Sequence, residues 1–260
     1  MNPNGKKTKT QRRHPIIAIA AIRYFDIVKS HNLPKIKLYI QKAKKLGADI
    51  VCFPESCIVK KGSLLLNDRL ILEIREECKK NSIWCIVTEN VTTKTKKTYN
   101  TSLLIGRDGK IKGHYEKINL SGDTAIAGNK IKVFKTDFGK IGITICWDLT
   151  FSSLFQEMKR MGAEIIFCPA QWNYETPSHE HSHKKRELEI LRAMTLARAH
   201  ENILFVALCN PIMPNKTQVS YSAISDPHHI LKELIDKEGI ITAKIDLGEI
   251  QKFRKYYRKE

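Results

Sequence analysis

The sequence predicts an α/β fold in which strands and amphipathic helices alternate along one domain. Two observations lead there. Short runs rich in Ile, Val and Phe, bounded by Gly, Pro, Asn or Asp, recur between segments whose apolar residues repeat at helical spacing. In addition, Gly47-Ala-Asp-Ile-Val-Cys-Phe-Pro54 is echoed by Gly162-Ala-Glu-Ile-Ile-Phe-Cys-Pro169. Each copy follows a basic amphipathic helix and reads as helix, Gly stop, buried strand and Pro, so the pair predicts two similar αβ halves facing each other.

The elements follow in order. Residues 1–14 carry five Lys/Arg and no acid, which predicts a disordered basic arm. Residues 15–260 contain no low-complexity linker and are read as a single domain. Its first half opens with a strand-sized apolar run, Ile16–Ile22, followed by a helix at Lys35–Leu46, a strand at Asp49–Phe53, a helix at Leu66–Lys80 and a strand at Ile83–Thr88. A meander, Thr101–Tyr115, comes next, with a strand at Thr101–Ile105 and a turn signal at Asp108-Gly109. Beyond it the pattern predicts strands at Lys132–Phe134 and Ile141–Cys146, a helix at Phe151–Met161 and a strand at Glu164–Cys168. A long helix at Lys185–His200 carries two neighbouring stripes, Leu188/Leu191/Thr195/Arg198 and Ile190/Met194/Ala197. Strands at Ile203–Leu208, Tyr221–Ile224 and Ile240–Ile245 complete the domain, the last two within a meander turned at Lys237-Glu238-Gly239.

Composition excludes several classes. No apolar run approaches the roughly 20 residues of a membrane helix, and the basic start shows no secretory cleavage pattern. The seven cysteines are odd in number and contain no CxxC pair, which argues for a reducing, cytoplasmic setting rather than a disulfide framework. Cys52, Cys78, Cys85, Cys168 and Cys209 sit in or beside apolar stretches and read as buried hydrophobes. The net charge is +18, but residues 1–14, Lys94 to Lys97 and Lys252 to Lys259 hold thirteen of those eighteen charges. Charge gathered on the termini and one loop reads as a solubility feature, so nucleic acid is not the expected partner. No glycine-rich nucleotide motif is present. His179-Glu-His-Ser-His183 has alternating ligands, but its polar setting favours a solvated loop over a metal site.

Three residues fall where chemistry gathers in α/β folds, at or just past strand ends. The echo breaks after Pro54 and Pro169, at Glu55 in one copy and Ala170 in the other. An acid tied to an apolar strand is either a solvated turn residue or a paired, buried one. Buried beside a thiol, it suits a general base. Cys146 lies at a strand-to-helix junction, where outward N–H groups favour a thiolate and predict a lowered pKa; the alternative is a structural cysteine. Lys117, alone, reads as a surface lysine. As a set, Cys, Glu and Lys allow nucleophilic attack on a carbonyl or nitrile carbon, proton transfer and oxyanion stabilisation.

Three blocks carrying these residues resemble the signature blocks of the nitrilase (carbon–nitrogen hydrolase) superfamily, in the same order. They are Phe53-Pro54-Glu55, Gly113-His-Tyr-Glu-Lys117-Ile-Asn-Leu120 and Gly139-Lys-Ile-Gly142-Ile-Thr-Ile-Cys146-Trp-Asp148. Gly162 to Ala170 with Trp172, Arg198 to Asn202 and Ser222 to Pro227 extend the likeness over residues 15–250.

The resemblance implies a four-layer α-β-β-α sandwich that commonly dimerises through helices near the cysteine. It also implies Cys146 as nucleophile, Glu55 as general base, Lys117 as oxyanion stabiliser and the backbone N–H of Trp147 as a second oxyanion donor. Neither a metal nor an organic cofactor is implied. Trp172 is a candidate substrate contact. The sequence departs from the family pattern in two places: a second glutamate usual after the lysine is missing, leaving Asp123 as the acid in Ser121–Gly128, and Leu149-Thr150 follows Asp148 where many relatives carry Arg or Met and then an aromatic. The expected activity is hydrolysis of a small linear amide through a thioester by a homodimer or larger homo-oligomer. The alternatives are N-carbamoyl or nitrile hydrolysis, or a weakly active binding protein with basic termini.

Overall fold

The computed structural model describes residues 14–173, 182–213 and 217–257. The predicted basic arm, apart from His14, and most of His179–His183 lie outside them. The first half contains β1 (Ile16–Ala21), α1 (Leu33–Lys45), β2 (Ile50–Cys52), α2 (Arg69–Asn81), β3 (Trp84–Thr92), β4 (Thr98–Ile105) and β5 (Ile111–Glu116). The second contains β6 (Val133–Lys135), β7 (Lys140–Ile143), a 3-10 turn (Cys146–Thr150), α3 (Ser152–Arg160), β8 (Ile165–Pro169), α4 (Ser182–Asn202), β9 (Phe205–Cys209), β10 (Tyr221–Ser225) and β11 (Ile230–Ile235). The chain then runs through β12 (Gly239–Lys244) and α5 (Leu247–Tyr257).

Two six-stranded sheets result, ordered β12-β1-β2-β3-β4-β5 and β11-β10-β9-β8-β7-β6. Their pairings match. In each, three central strands are parallel (β1-β2-β3 and β7-β8-β9), and antiparallel strands extend both flanks. The echo in sequence is therefore an echo in topology, with β2 and β8 in corresponding places.

Strand alternation builds the layers. Ile17, Ile19, Ile50, Cys52, Trp84 and Ile86 face inward and share a core with the second sheet. Their neighbours Ala18, Ala20, Val51, Phe53, Cys85 and Val87 face outward and pack with Ile36 and Ile40 of α1 and Ile71 and Ile74 of α2. On the other side Leu154, Phe155 and Met158 of α3 and Leu191 and Ala199 of α4 join the core of the second sheet. The arrangement is the predicted α-β-β-α sandwich. No helix among the described residues is long and apolar enough to cross a membrane. All seven cysteines are free and buried.

Several boundaries move for identifiable reasons. Helix α2 begins at Arg69 rather than Leu66 because the Asp68 side chain caps it, accepting from Leu70 N at 2.8 Å. The predicted strand Ile141–Cys146 stops at Ile143, and Cys146 opens a 3-10 turn instead. Of the two stripes read on α4, Leu191 and Thr195 are buried, whereas Ile190 and Ala197 are exposed.

The basic segment from Lys252, whose charge reads as a solubility feature, is helix α5 through Tyr257. Leu247 and Ile250 bury one face and Phe253 packs beside them. Arg254 donates to the carbonyls of Ile203 at 3.1 Å and Ala163 at 2.8 Å, two chain reversals of the second half. Dense positive charge hid an apolar period of three that was present in the sequence. Leu247→Ala removes a side chain only 2% exposed and is expected to lower unfolding free energy by about 2–4 kcal/mol. A urea titration checks this; a change indistinguishable from zero contradicts the docking of α5.

Candidate active site

Glu55 reaches the site through the end of β2. Phe53 N continues the parallel ladder by donating to Ile86 O at 2.9 Å, and Pro54 then ends the strand. Ser56 is in the left-handed region at φ +52, turning the chain immediately after the acid. The next residues are held by a buried carboxylate, Glu89 of β3, which accepts from the N–H groups of Ile58 and Val59, each at 2.9 Å. Across the sandwich, Glu55 N donates to Ala170 O at 3.3 Å, so the two positions where the echo diverges are in contact.

Lys117 follows β5 and is 3% exposed; Glu55 is 4% exposed. The lysine Nζ donates to Glu55 Oε1 at 3.0 Å and to Asp123 Oδ2 at 2.8 Å. Asn100 of β4 donates to the same Glu55 oxygen at 2.7 Å, and Gln171 N donates to Glu55 Oε2 at 3.0 Å. Both carboxylate oxygens are thus anchored, which a buried acid requires.

Cys146 has φ +47, uncommon for a residue with a Cβ. Asp148 secures the turn. This fully buried carboxylate accepts from Ile145 N at 3.0 Å, Tyr115 Oη at 2.8 Å, Asn119 N at 2.8 Å and Asn119 Nδ2 at 2.9 Å. Its bond to Ile145 N draws the chain out of the β7 ladder, which is why the predicted strand stops short.

Electrostatics overturn one expectation. Burial raises the Cys146 pKa well above an ordinary thiol's; the Glu55 carboxylate adds to this, and Lys117 and the Gln171 N–H oppose it without prevailing. The resting sulfur is a protonated thiol, not the thiolate that a strand-to-helix junction suggested. For Lys117, burial alone would lower the pKa. Glu55 and Asp123 outweigh it and hold the ammonium charged. Burial also raises the Asp148 pKa, against the hydrogen bonds that the group accepts.

A cleft of about 240 Å³ opens onto these groups. Glu55, Lys117, Cys146, Asp123, Trp147 and Trp172 all line it, so the structure brings these six candidate residues together. The Trp147 and Trp172 rings lie 5.4 Å apart, tilted by 35°. Trp172 is fixed by Asn210 Oδ1, which accepts from its N–H at 2.9 Å, and by Glu187 Oε2, which accepts from Nε1 at 3.0 Å. Among the described residues no cluster of three or more His, Cys, Asp or Glu could hold a metal ion.

Sequence reasoning missed Asn100, Glu89 and the anchoring role of Asp148. Glu89 carried a signal, an acid inside an otherwise apolar strand. Asn100 carried none, because its importance lies in a partner distant in sequence, Glu55.

The fold is an α-β-β-α sandwich with one small polar cleft at the seam of its two halves. The sequence model for carbon-nitrogen hydrolases matches residues 16–255. The chain belongs to that family. It is 27% identical over 251 residues to the omega-amidase NIT2 of Mus musculus, covering 87% of each chain. It is 29% identical over 242 residues to the 2-oxoglutaramate amidase of Bacillus subtilis, covering 86% of this chain and 88% of that one. In fold it is similar to Saccharomyces cerevisiae Nit3, at a TM-score of 0.80 with 23% identity and 95% of each chain covered. It is also similar to a carbon-nitrogen hydrolase from Helicobacter pylori, at a TM-score of 0.84 with 17% identity, 95% of this chain and 94% of that one being covered.

Two outcomes follow. Because the Cys146 pKa is raised, modification of Cys146 by methyl methanethiosulfonate, followed by peptide mapping, should accelerate about tenfold per pH unit from pH 6 to 9; a plateau below pH 7 would indicate a resting thiolate. Glu89 is pushed up to about 7 by burial, partly offset by the N–H groups it accepts from. A raised carboxyl favours folding below its unfolded pKa, and that contribution is lost as pH rises to 7. Relative to Glu89→Gln, the parent should therefore lose about 3 kcal/mol of stability between pH 4 and pH 8. A pH-independent difference in urea titrations would contradict the buried acid.

Proposed function

We propose that the protein hydrolyses a small linear amide through a thioester on Cys146, with Glu55 moving protons and Lys117 meeting the oxyanion. The observation that carries this reading is the buried Glu55–Lys117 pair opening on the same small cleft as a protonated Cys146. A neutral thiol needs a base at the moment of attack, and Glu55 is the carboxylate whose charge acts on it.

As Sγ bonds to the amide carbon, the thiol proton passes to Glu55 and the carbonyl π electrons move onto oxygen. Lys117 has two of its three ammonium hydrogens on Glu55 and Asp123; the third, with the Trp147 backbone N–H, faces the oxyanion. Collapse breaks the C–N bond, and Glu55 returns its proton to the departing amine. Water then attacks the thioester, giving a proton to Glu55. The C–S bond breaks, a carboxylic acid leaves and Sγ regains its proton. Asp123 serves here by holding Lys117 in place, partly filling the part of the missing second glutamate.

The names of the relatives, omega-amidase and 2-oxoglutaramate amidase, support an amide over a nitrile. Exposed Phe151, Met161 and Ile190 on and beside α3 and α4 support a homo-oligomer, which sedimentation can size. Seven free cysteines support a cytoplasmic setting.

The test is ammonia release across an amide, carbamoyl and nitrile panel. The parent should turn over amides best. Cys146→Ala should be inactive, and Glu55→Gln and Lys117→Met should each fall by about a thousandfold or more in kcat/KM. Turnover by Cys146→Ala equal to the parent's would sink the reading.

A further inference from the structure

Resting on that reading, we infer that the cleft selects amides whose far end carries a protonated amine and disfavours those whose far end is a carboxylate. The charges that line the cleft are Glu55, Asp123 and Lys117. With Cys146 protonated, two carboxylates face one ammonium, and the lining is net negative. Lys117 is already shared between the two acids, so its charge is neutralised from both sides. Among the described lining residues there is no other cation.

Three cations of α4 are engaged elsewhere. On α4, Arg198 donates to the carbonyls of Leu149 and Thr150, each at 3.0 Å, and pairs with Glu201. Arg192 pairs with Glu233, and Lys184 with Asp236. The acidic cleft thus stands in a chain whose net charge is +18, most of it carried on the termini and one loop.

What lies beside the acids suits a cation. Trp147 and Trp172 line the cleft as a tilted pair, and indole faces attract ammonium groups. Glu187, bonded to Trp172 Nε1, places a third carboxylate at the edge of that ring. A carboxylate tail would lose its water beside two acids, with Ser56, Ser121, Gln171 and Asn173 as the neutral polar side chains of the lining and Lys117 already shared, whereas an ammonium tail would meet attraction from the acids and the indoles. Asp123 is the residue that tips the balance, since without it the lining charges cancel.

The test is calorimetric titration of the Cys146→Ala protein with three amides of matched length: 5-aminopentanamide, pentanamide and the monoamide of glutarate. Affinity should fall in that order, with at least about tenfold between first and last. Asp123→Asn and, separately, Glu187→Gln in the same background should narrow that ratio by about threefold or more. Tighter or equal binding of the glutarate monoamide, no detectable binding of 5-aminopentanamide, or a ratio unmoved by both substitutions would overturn the inference. Ammonia release by the parent separates the two readings. The predicted binding order without turnover sinks the hydrolase and keeps the charge selection, whereas turnover with the opposite order does the reverse.

Discussion

The buried ion pair between Glu55 and Lys117 is the constraint around which the molecule is arranged. Taking both charges out of water is costly unless each finds good partners. Here the partners come from separate elements: Asn100 from β4, Asp123 from the loop after the lysine, and the Gln171 N–H from just past β8. Asn100 and Asp123 belong to the same half as the pair, and the Gln171 N–H joins them only when the two sheets are docked and β2 and β8 end at the same level. The sandwich and the site are therefore specified together. A sheet that slid by one residue would strand a carboxylate in an apolar core.

That docking follows from duplication with divergence. Two halves with matching strand orders meet face to face, which brings the equivalent ends of β2 and β8 together and lets Glu55 N bond to Ala170 O. One copy keeps a carboxylate at that place, and the other keeps a methyl group. Two acids there would repel across the interface. The first half supplies the acid and the lysine and the second supplies the thiol, with Asp148 drawing its turn away from β7. The cleft is the seam between them.

Much of this was legible in the sequence, because the signals were local. Apolar runs with breakers located the strands, and the repeated octapeptide with its single divergence located Glu55 before any family likeness was considered. What could not be seen was either non-local or masked. Asn100 looks like any strand asparagine until its partner 45 positions away is known. Helix α5 was masked because Lys252, Arg254 and Lys255 outweighed the Leu247/Ile250/Phe253 period. The state of Cys146 was misjudged for an instructive reason. A helix-like junction does favour a thiolate, but full burial beside a carboxylate costs more than the junction returns.

In the proposed mechanism the chemistry depends on Glu55 at every step, and the thioester is the point through which all substrates pass. Partitioning tests that directly. An amide, an N-methylamide and an ester of one acid are each turned over by the parent protein in the presence of hydroxylamine, and the ratio of hydroxamate to free acid is measured. A shared thioester on Cys146 predicts one ratio for all three, set by competition between hydroxylamine and water after the leaving group has gone. Ratios that change with the leaving group would mean that water attacks the substrate itself, contradicting the assignment of Cys146 as the nucleophile.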